Sequence, residues 1–281
     1  MLFRLSTPLL AAALGTPRAI RALVTHVASP KMATDISFLR AADAQALDVE
    51  LMSTPGFSVD QLMELAGLSV ASAVAKVYPP GRVLVIAGPG NNGGDGLVAA
   101  RHLWHFGYQP TCLYPKPTPK PLYTNLVTQC EQLGIPFLDA PPSDESLSSD
   151  FDIIIDSIFG FSFSGAPRPP FDGILASLCR CSTPVVSVDI PSGWSVDEGD
   201  AAGTGLAPDM LVSLTAPKYG SRMFKGREHY LGGRFVPPHL AEKYGLVLPA
   251  YPGTEQCIRL EGLSGGGGGA STRLEGASEE A

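Results

Sequence analysis

Apolar positions alternate between two periods along the middle of the chain. From Leu62 they fall at Leu65, Ala66, Val70, Ala73, Val74 and Val77, the three- and four-residue steps of a helix with one buried face. Ser58-Val-Asp-Gln61 just before this run fits a capping box, and Tyr78-Pro-Pro-Gly81 ends it. Ile36 to Met52, rich in Ala, Leu, Asp and Glu, predicts an earlier helix. Arg82 to Ala87 is then a short, continuously apolar run, the mark of a strand covered on both faces. Further strands are predicted at Thr111–Tyr114, Phe151–Ile155, Val185–Val188 and Met210–Leu214. Helical patterns fill Leu97–Phe106, Leu122–Leu133 and Phe171–Leu178 between them. Strands separated by helix-length segments predict an α/β domain of Rossmann-like, three-layer type with a mostly parallel central sheet, spanning residues 35–260.

Composition narrows the class. The 281 residues carry 44% apolar side chains, enough for a sizeable core, and the 31 Gly and 26 Pro follow no Gly-X-Y period. A net charge of −7 argues against a nucleic-acid binder. Five cysteines, an odd number with no C-x-x-C, argue against a disulfide framework or a zinc ribbon. No apolar run reaches the ~18 residues of a membrane span.

The ends differ from the middle. Residues 1–34 hold Arg4, Arg18, Arg21 and Lys31 and no acid, which predicts a mitochondrial transit peptide. Pro8 to Leu14 also resembles the apolar region of a secretory signal, and a start at Met32 would leave a cytosolic form. Residues 261–281, with five consecutive glycines at 265–269, predict a disordered tail.

In open parallel sheets ligands collect beyond the C-terminal strand ends. Three predicted ends carry polar residues: Asn91-Asn92-Gly93-Gly94-Asp95, Asp156 with Gly160 to Gly165, and Asp189-Ile-Pro-Ser192. Gly88, Gly90 and Gly93 satisfy G-x-G-x-x-G between strand and helix, where backbone N–H groups can approach a phosphate. Between Asp95 and Glu131 there is no acid to read a ribose, which argues against a conventional NAD dehydrogenase. Asp156 and Asp189 beside Asn92 and Ser192 offer carboxylate, amide and hydroxyl oxygens suited to a hard cation, or a carboxylate pair for proton transfer. Ser162 lacks the setting of a nucleophile elbow, so a serine hydrolase is disfavoured. His102 and His105, three apart and without evident partners, read as surface or packing residues, and Trp194 as a core residue able to meet a ligand ring.

Taken together, Ser58 to Gly67, Gly88 to Gly96, Asp156-Ser-Ile-Phe-Gly-Phe-Ser-Phe163 and Asp189-Ile-Pro-Ser-Gly-Trp194 resemble the NAD(P)H-hydrate epimerase family, also called the YjeF N-terminal domain family. Leu214-Thr-Ala-Pro-Lys218 and Tyr230 to Pro237 extend the likeness. The resemblance implies an isomerase that interconverts the R and S epimers of hydrated NADH and NADPH, the S form passing to a separate dehydratase. It implies substrate contacts from Asn91, Asn92, Gly93, Gly94 and Asp95, from Gly160, Phe161, Ser162, Phe163, Ser164, Gly165 and Ala166, and from Asp189. It also implies one potassium ion (K+) per subunit on Asn92, Asp156 and Ser192, a homodimer, and apolipoprotein A-I as a partner of animal members. Ser164-Gly165-Ala166 departs from the Lys-Gly-Asp of the animal pattern, removing two opposite charges at once. Asp189 is the leading acid/base candidate and Lys218 the second. The competing readings are a nicotinamide-dependent oxidoreductase and a non-catalytic binding protein.

Overall fold

The computed structural model describes residues 36–261 apart from Ala202 and Thr204; the predicted targeting segment and all but the first residue of the predicted tail lie outside the described residues. Helices α1 (Ala41–Ser53) and α2 (Val59–Val77) precede strand β1 (Arg82–Ala87). There follow α3 (Asn91–His105), β2 (Gln109–Leu113), α4 (Pro121–Gln132), β3 (Phe137–Leu138), α5 (Asp144–Ser149) and β4 (Ile153–Ser157). The chain continues with α6 (Phe171–Leu178), β5 (Val185–Val188), β6 (Met210–Leu214), β7 (Glu228–Gly232), α7 (Pro238–Lys243) and β8 (Ile258–Arg259). The eight strands form one sheet in the order β3-β2-β1-β4-β5-β6-β7-β8, parallel throughout except for the final antiparallel pair. The expected Rossmann-like α/β architecture is therefore present.

Alternation along the strands places one core on each face. Val83, Val85, Ile155, Val186 and Val212 pack with α2, α3 and α4, while Leu84, Ile86 and Ile154 pack with α5 and α6. A third cluster joins Leu47 and Leu51 of α1 to Leu62, Ala216 and Leu240. The capping box forms as predicted: the Ser58 hydroxyl accepts from the Gln61 N–H at 3.2 Å, and the Gln61 side chain accepts from the Ser58 N–H at 2.9 Å.

The largest boundary difference concerns α3. Leu97 was its expected start, yet the helix begins at Asn91, inside the glycine-rich segment. Its glycines permit close packing. A Cβ on Gly93 would lie 1.9 Å from the Gly88 carbonyl oxygen, one on Gly94 2.4 Å from Met63 Sδ, and one on Gly96 1.9 Å from Ser157 Oγ. Gly88 likewise lets the Ile158 carbonyl pass, 1.8 Å from where a Cβ would stand. Only Gly90 of the fingerprint faces open space. The pattern thus reflects backbone packing at two of its three positions, Gly88 and Gly93, which a phosphate-loop reading does not anticipate.

Candidate functional site

The sheet order reverses between β1 and β4, where ligand sites of open α/β sheets form. A cavity of about 860 Å³ opens beside this point, within the roughly 300–1,000 Å³ of small-molecule sites. Asn91, Asn92 and Asp95 reach it from α3, and Asp189 from the end of β5. Gly160 to Gly165 supply the loop beyond β4. The three polar strand ends therefore meet in one place.

Several expected contacts fall elsewhere. Gly93 and Gly94 are buried against protein and do not line the cavity, nor does Ala166. Of the departing Ser164-Gly165-Ala166 segment, the first two residues line the cavity. Trp194 lines it too, its indole N–H donating to the Leu206 carbonyl at 2.9 Å. His102 is not partnerless: its Nε2 lies 2.8 Å from Glu64, which also pairs with Arg101.

Asp189 has the most constrained setting. It is buried, and its backbone is left-handed at φ 70°, a conformation Asp tolerates better than most side chains. One carboxylate oxygen accepts from Lys218 Nζ at 2.5 Å and the other from the Phe161 N–H at 2.7 Å. Lys218 is buried as well and donates to the Leu214 carbonyl at 2.6 Å. This ion pair ties the β5 end, the loop beyond β4 and the segment beyond β6 into one unit. A Cβ on Gly160 would stand 3.0 Å from Asp189 Oδ2 and 3.1 Å from Asn92 Oδ1, a tight fit where these groups converge.

Asp48, Asp95 and Asp197 also line the cavity, and the first two are shifted by their setting. Burial raises Asp95 well above the usual carboxylate range, with Asp189 and Asp48 adding to the push and Lys218 opposing it. That favours its neutral, hydrogen-bond-donating form. Asp48, on α1, is also raised, chiefly by burial. It was absent from the sequence-based candidates because nothing in the helical pattern of α1 marks it.

Asp156 has no exposed surface and does not line the cavity. It accepts from Ser187 Oγ at 2.8 Å, from the Ser192 N–H at 3.0 Å and hydroxyl at 2.5 Å, and from the Ile158 N–H at 3.3 Å. Burial raises its carboxyl and these hydrogen bonds oppose the rise. All four donors are neutral. Among the described residues the buried Asn92 amide has no partner for Nδ2. A buried amide nitrogen without a partner and a buried carboxylate that meets neutral donors among the described residues are the features a cation would use, and an amide flip would present oxygen instead of nitrogen. Amide, carboxylate and hydroxyl oxygens fit an alkali or alkaline-earth ion.

Comparison with known proteins agrees with this geometry. Residues 59–220 match the family model described as YjeF-related protein N-terminus. The crystal structure of yeast YNL200c is 42% identical and superposes with a TM-score of 0.76, covering 80% of this chain and all of that one. An Arabidopsis thaliana protein named pyridoxine/pyridoxamine 5'-phosphate oxidase 1, chloroplastic, is 55% identical over 257 residues. The match takes in 86% of this chain and 48% of that relative, so the chain spans about half its length. The oxidase activity in that name belongs to the longer protein. With the glycine-rich helix start and the loop beyond β4 both inside the matched region, the chain belongs to the YjeF-related N-terminal family, whose members are associated with NAD(P)H-hydrate epimerisation.

Proposed function

We propose that this protein is a NAD(P)H-hydrate epimerase, an isomerase interconverting the R and S epimers of hydrated NADH and NADPH. The observation that carries the reading is the buried Asp189–Lys218 pair, of which Asp189 lines the cavity together with Asn91, Asn92 and the 160–165 loop. Inverting a carbon that bears both a hydroxyl and a ring nitrogen needs a proton donor, a proton acceptor and stabilisation of a cationic or carbonyl intermediate. Asp189 holds or accepts a proton at Oδ2, and Lys218 fixes its orientation through Oδ1. The open backbone around Gly90 and the first N–H groups of α3 receive a phosphate of the substrate.

On the same reading Asn92, Asp156 and Ser192 hold a potassium ion, which when bound supplies positive charge beside the Asp156 carboxylate and the substrate. The S epimer passes to a separate dehydratase, and the subunit pairs as a homodimer. Residues 1–34 direct import into an organelle; the basic, acid-free composition supports this, and the Arabidopsis relative is named as chloroplastic. The test is chromatography of one purified epimer of hydrated NADPH with and without the protein. Equilibration far above the spontaneous rate supports the epimerase, and no acceleration by folded protein refutes it.

A further inference from the structure

Helix α1 lies outside the family-matched residues, yet one side of it walls the cavity through Ala41, Gln45, Asp48 and Met52. It is fastened to the Lys218 segment rather than resting on it. The Leu39 N–H donates to the Pro217 carbonyl at 2.8 Å, and the Tyr219 N–H donates to the Leu39 carbonyl at 2.9 Å, one bond on each side of Lys218. The Ala41 N–H donates to Asp197 at 3.0 Å, and Leu47 and Leu51 are buried beneath the helix. Asp48 is thereby held in place by its neighbours while its own carboxyl accepts no hydrogen bond and forms no ion pair among the described residues. A half-buried carboxyl without a partner costs stability, so a helix serving only as packing gains nothing from it. Burial raises this carboxyl, Lys218 opposes the rise, and Asp189 adds to it. The raised carboxyl is better able to hold a proton near neutrality than an exposed one.

We propose that Asp48 is a second catalytic acid–base residue, acting on the substrate ring from the α1 wall while Asp189 acts from the sheet rim; this rests on the epimerase reading. In one direction the Asp48 carboxyl gives its proton to the hydroxyl of the hydrated ring carbon. The carbon–oxygen bond breaks, its electron pair leaves with water, and the ring nitrogen lone pair closes a C=N bond. Water then adds to the other face of that carbon as the C=N electrons return to nitrogen, and its proton passes to the Asp189 carboxylate. The hydroxyl has changed face, nothing has been oxidised or reduced, and one proton has moved from Asp48 to Asp189. The reverse reaction starts from that state, and exchange with solvent restores the first.

The experiment compares wild type, Asp48→Asn and Asp48→Glu in ¹⁸O-labelled water, following epimerisation, label on the ring carbon and thermal unfolding. Asp48→Asn is expected to lower kcat by about 10²–10⁴, the usual range for loss of a general acid or base, with KM little changed. Its melting temperature should equal or exceed that of wild type, because an unpartnered acid has been neutralised. Asp48→Glu, which keeps the carboxyl, should recover part of the lost rate. In wild type, label should enter at the rate of epimerisation. Asp48→Asn turnover within threefold of wild type, or epimerisation without label, would overturn the assignment while leaving the epimerase intact. An Asp48→Asn rate loss that simply tracks a lowered melting temperature, with no recovery in Asp48→Glu, would overturn it too. A wild-type protein that does not accelerate epimerisation at all would instead remove the reading on which the assignment rests.

Discussion

Replacing Lys218 by methionine keeps most of the side-chain volume and removes the ammonium group. Among the described residues Asp189 would then stay buried with the Phe161 N–H as its remaining donor, and the Leu214 carbonyl would lose its 2.6 Å partner. Removing one member of a buried pair costs about 3–5 kcal/mol, because the other charge is left uncompensated. For a domain of this size that corresponds to a melting temperature lower by roughly 10 °C. The double variant Lys218→Met/Asp189→Asn leaves no uncompensated charge, and asparagine tolerates the left-handed backbone that Asp189 adopts at φ 70°. It should recover about 2 kcal/mol relative to Lys218→Met alone. Urea unfolding of wild type, both single variants and the double variant measures this coupling directly. A Lys218→Met penalty below about 1 kcal/mol, or a double variant less stable than Lys218→Met, would refute the claim that the pair organises the rim.

Other outcomes follow from the same geometry. Gly88→Ala drives a Cβ into the Ile158 carbonyl and should cost at least about 3 kcal/mol, whereas Gly90→Ala, in open space, should stay within about 0.5 kcal/mol; thermal melts separate them. His229 is buried, 2.9 Å from Ser213 Oγ, and desolvation lowers its pKa from 6.5 to about 4. The unfolded chain therefore binds a proton the folded protein refuses, and stability should fall by about 3 kcal/mol as pH drops from above 6.5 to 4. Urea midpoints across that range should show a smaller fall in His229→Asn, and an unchanged fall would exclude this histidine as the cause. Exchanging potassium for choline should lower both the melting temperature and turnover, with Asn92→Ala insensitive to the exchange; equal responses in the two proteins would count against the cation site.

Much of this was legible because burial on both sheet faces leaves few polar choices in the strands. Arg82–Ala87, Val185–Val188 and Met210–Leu214 read directly as strands, and Ser58 and Gln61 marked the α2 start through local chemistry. Asp156 and Asp189 stood out because an acid at the end of an apolar strand needs a reason to be there. The glycine segment was legible as a candidate site, while the packing of Gly88 and Gly93 on backbone carbonyls was not, since sequence cannot tell a glycine facing an anion from one facing a carbonyl. Asp48 was illegible for a different reason. Acids are common on helices, and only the folded chain shows that this one lines the cavity. The isolation of Asp156 from solvent was hidden similarly, because its partners Ser187 and Ser192 lie more than thirty residues away.

The central claim is that the cavity around Asp189 inverts the hydrated nicotinamide ring. It is tested most directly by the initial rate at which one pure epimer of hydrated NADPH becomes the other, wild type against Asp189→Asn at matched folded concentration. Wild type should equilibrate the epimers far faster than buffer, and Asp189→Asn should fall by at least about 10² toward the spontaneous rate while melting cooperatively. Equal rates in the two proteins would place the chemistry elsewhere.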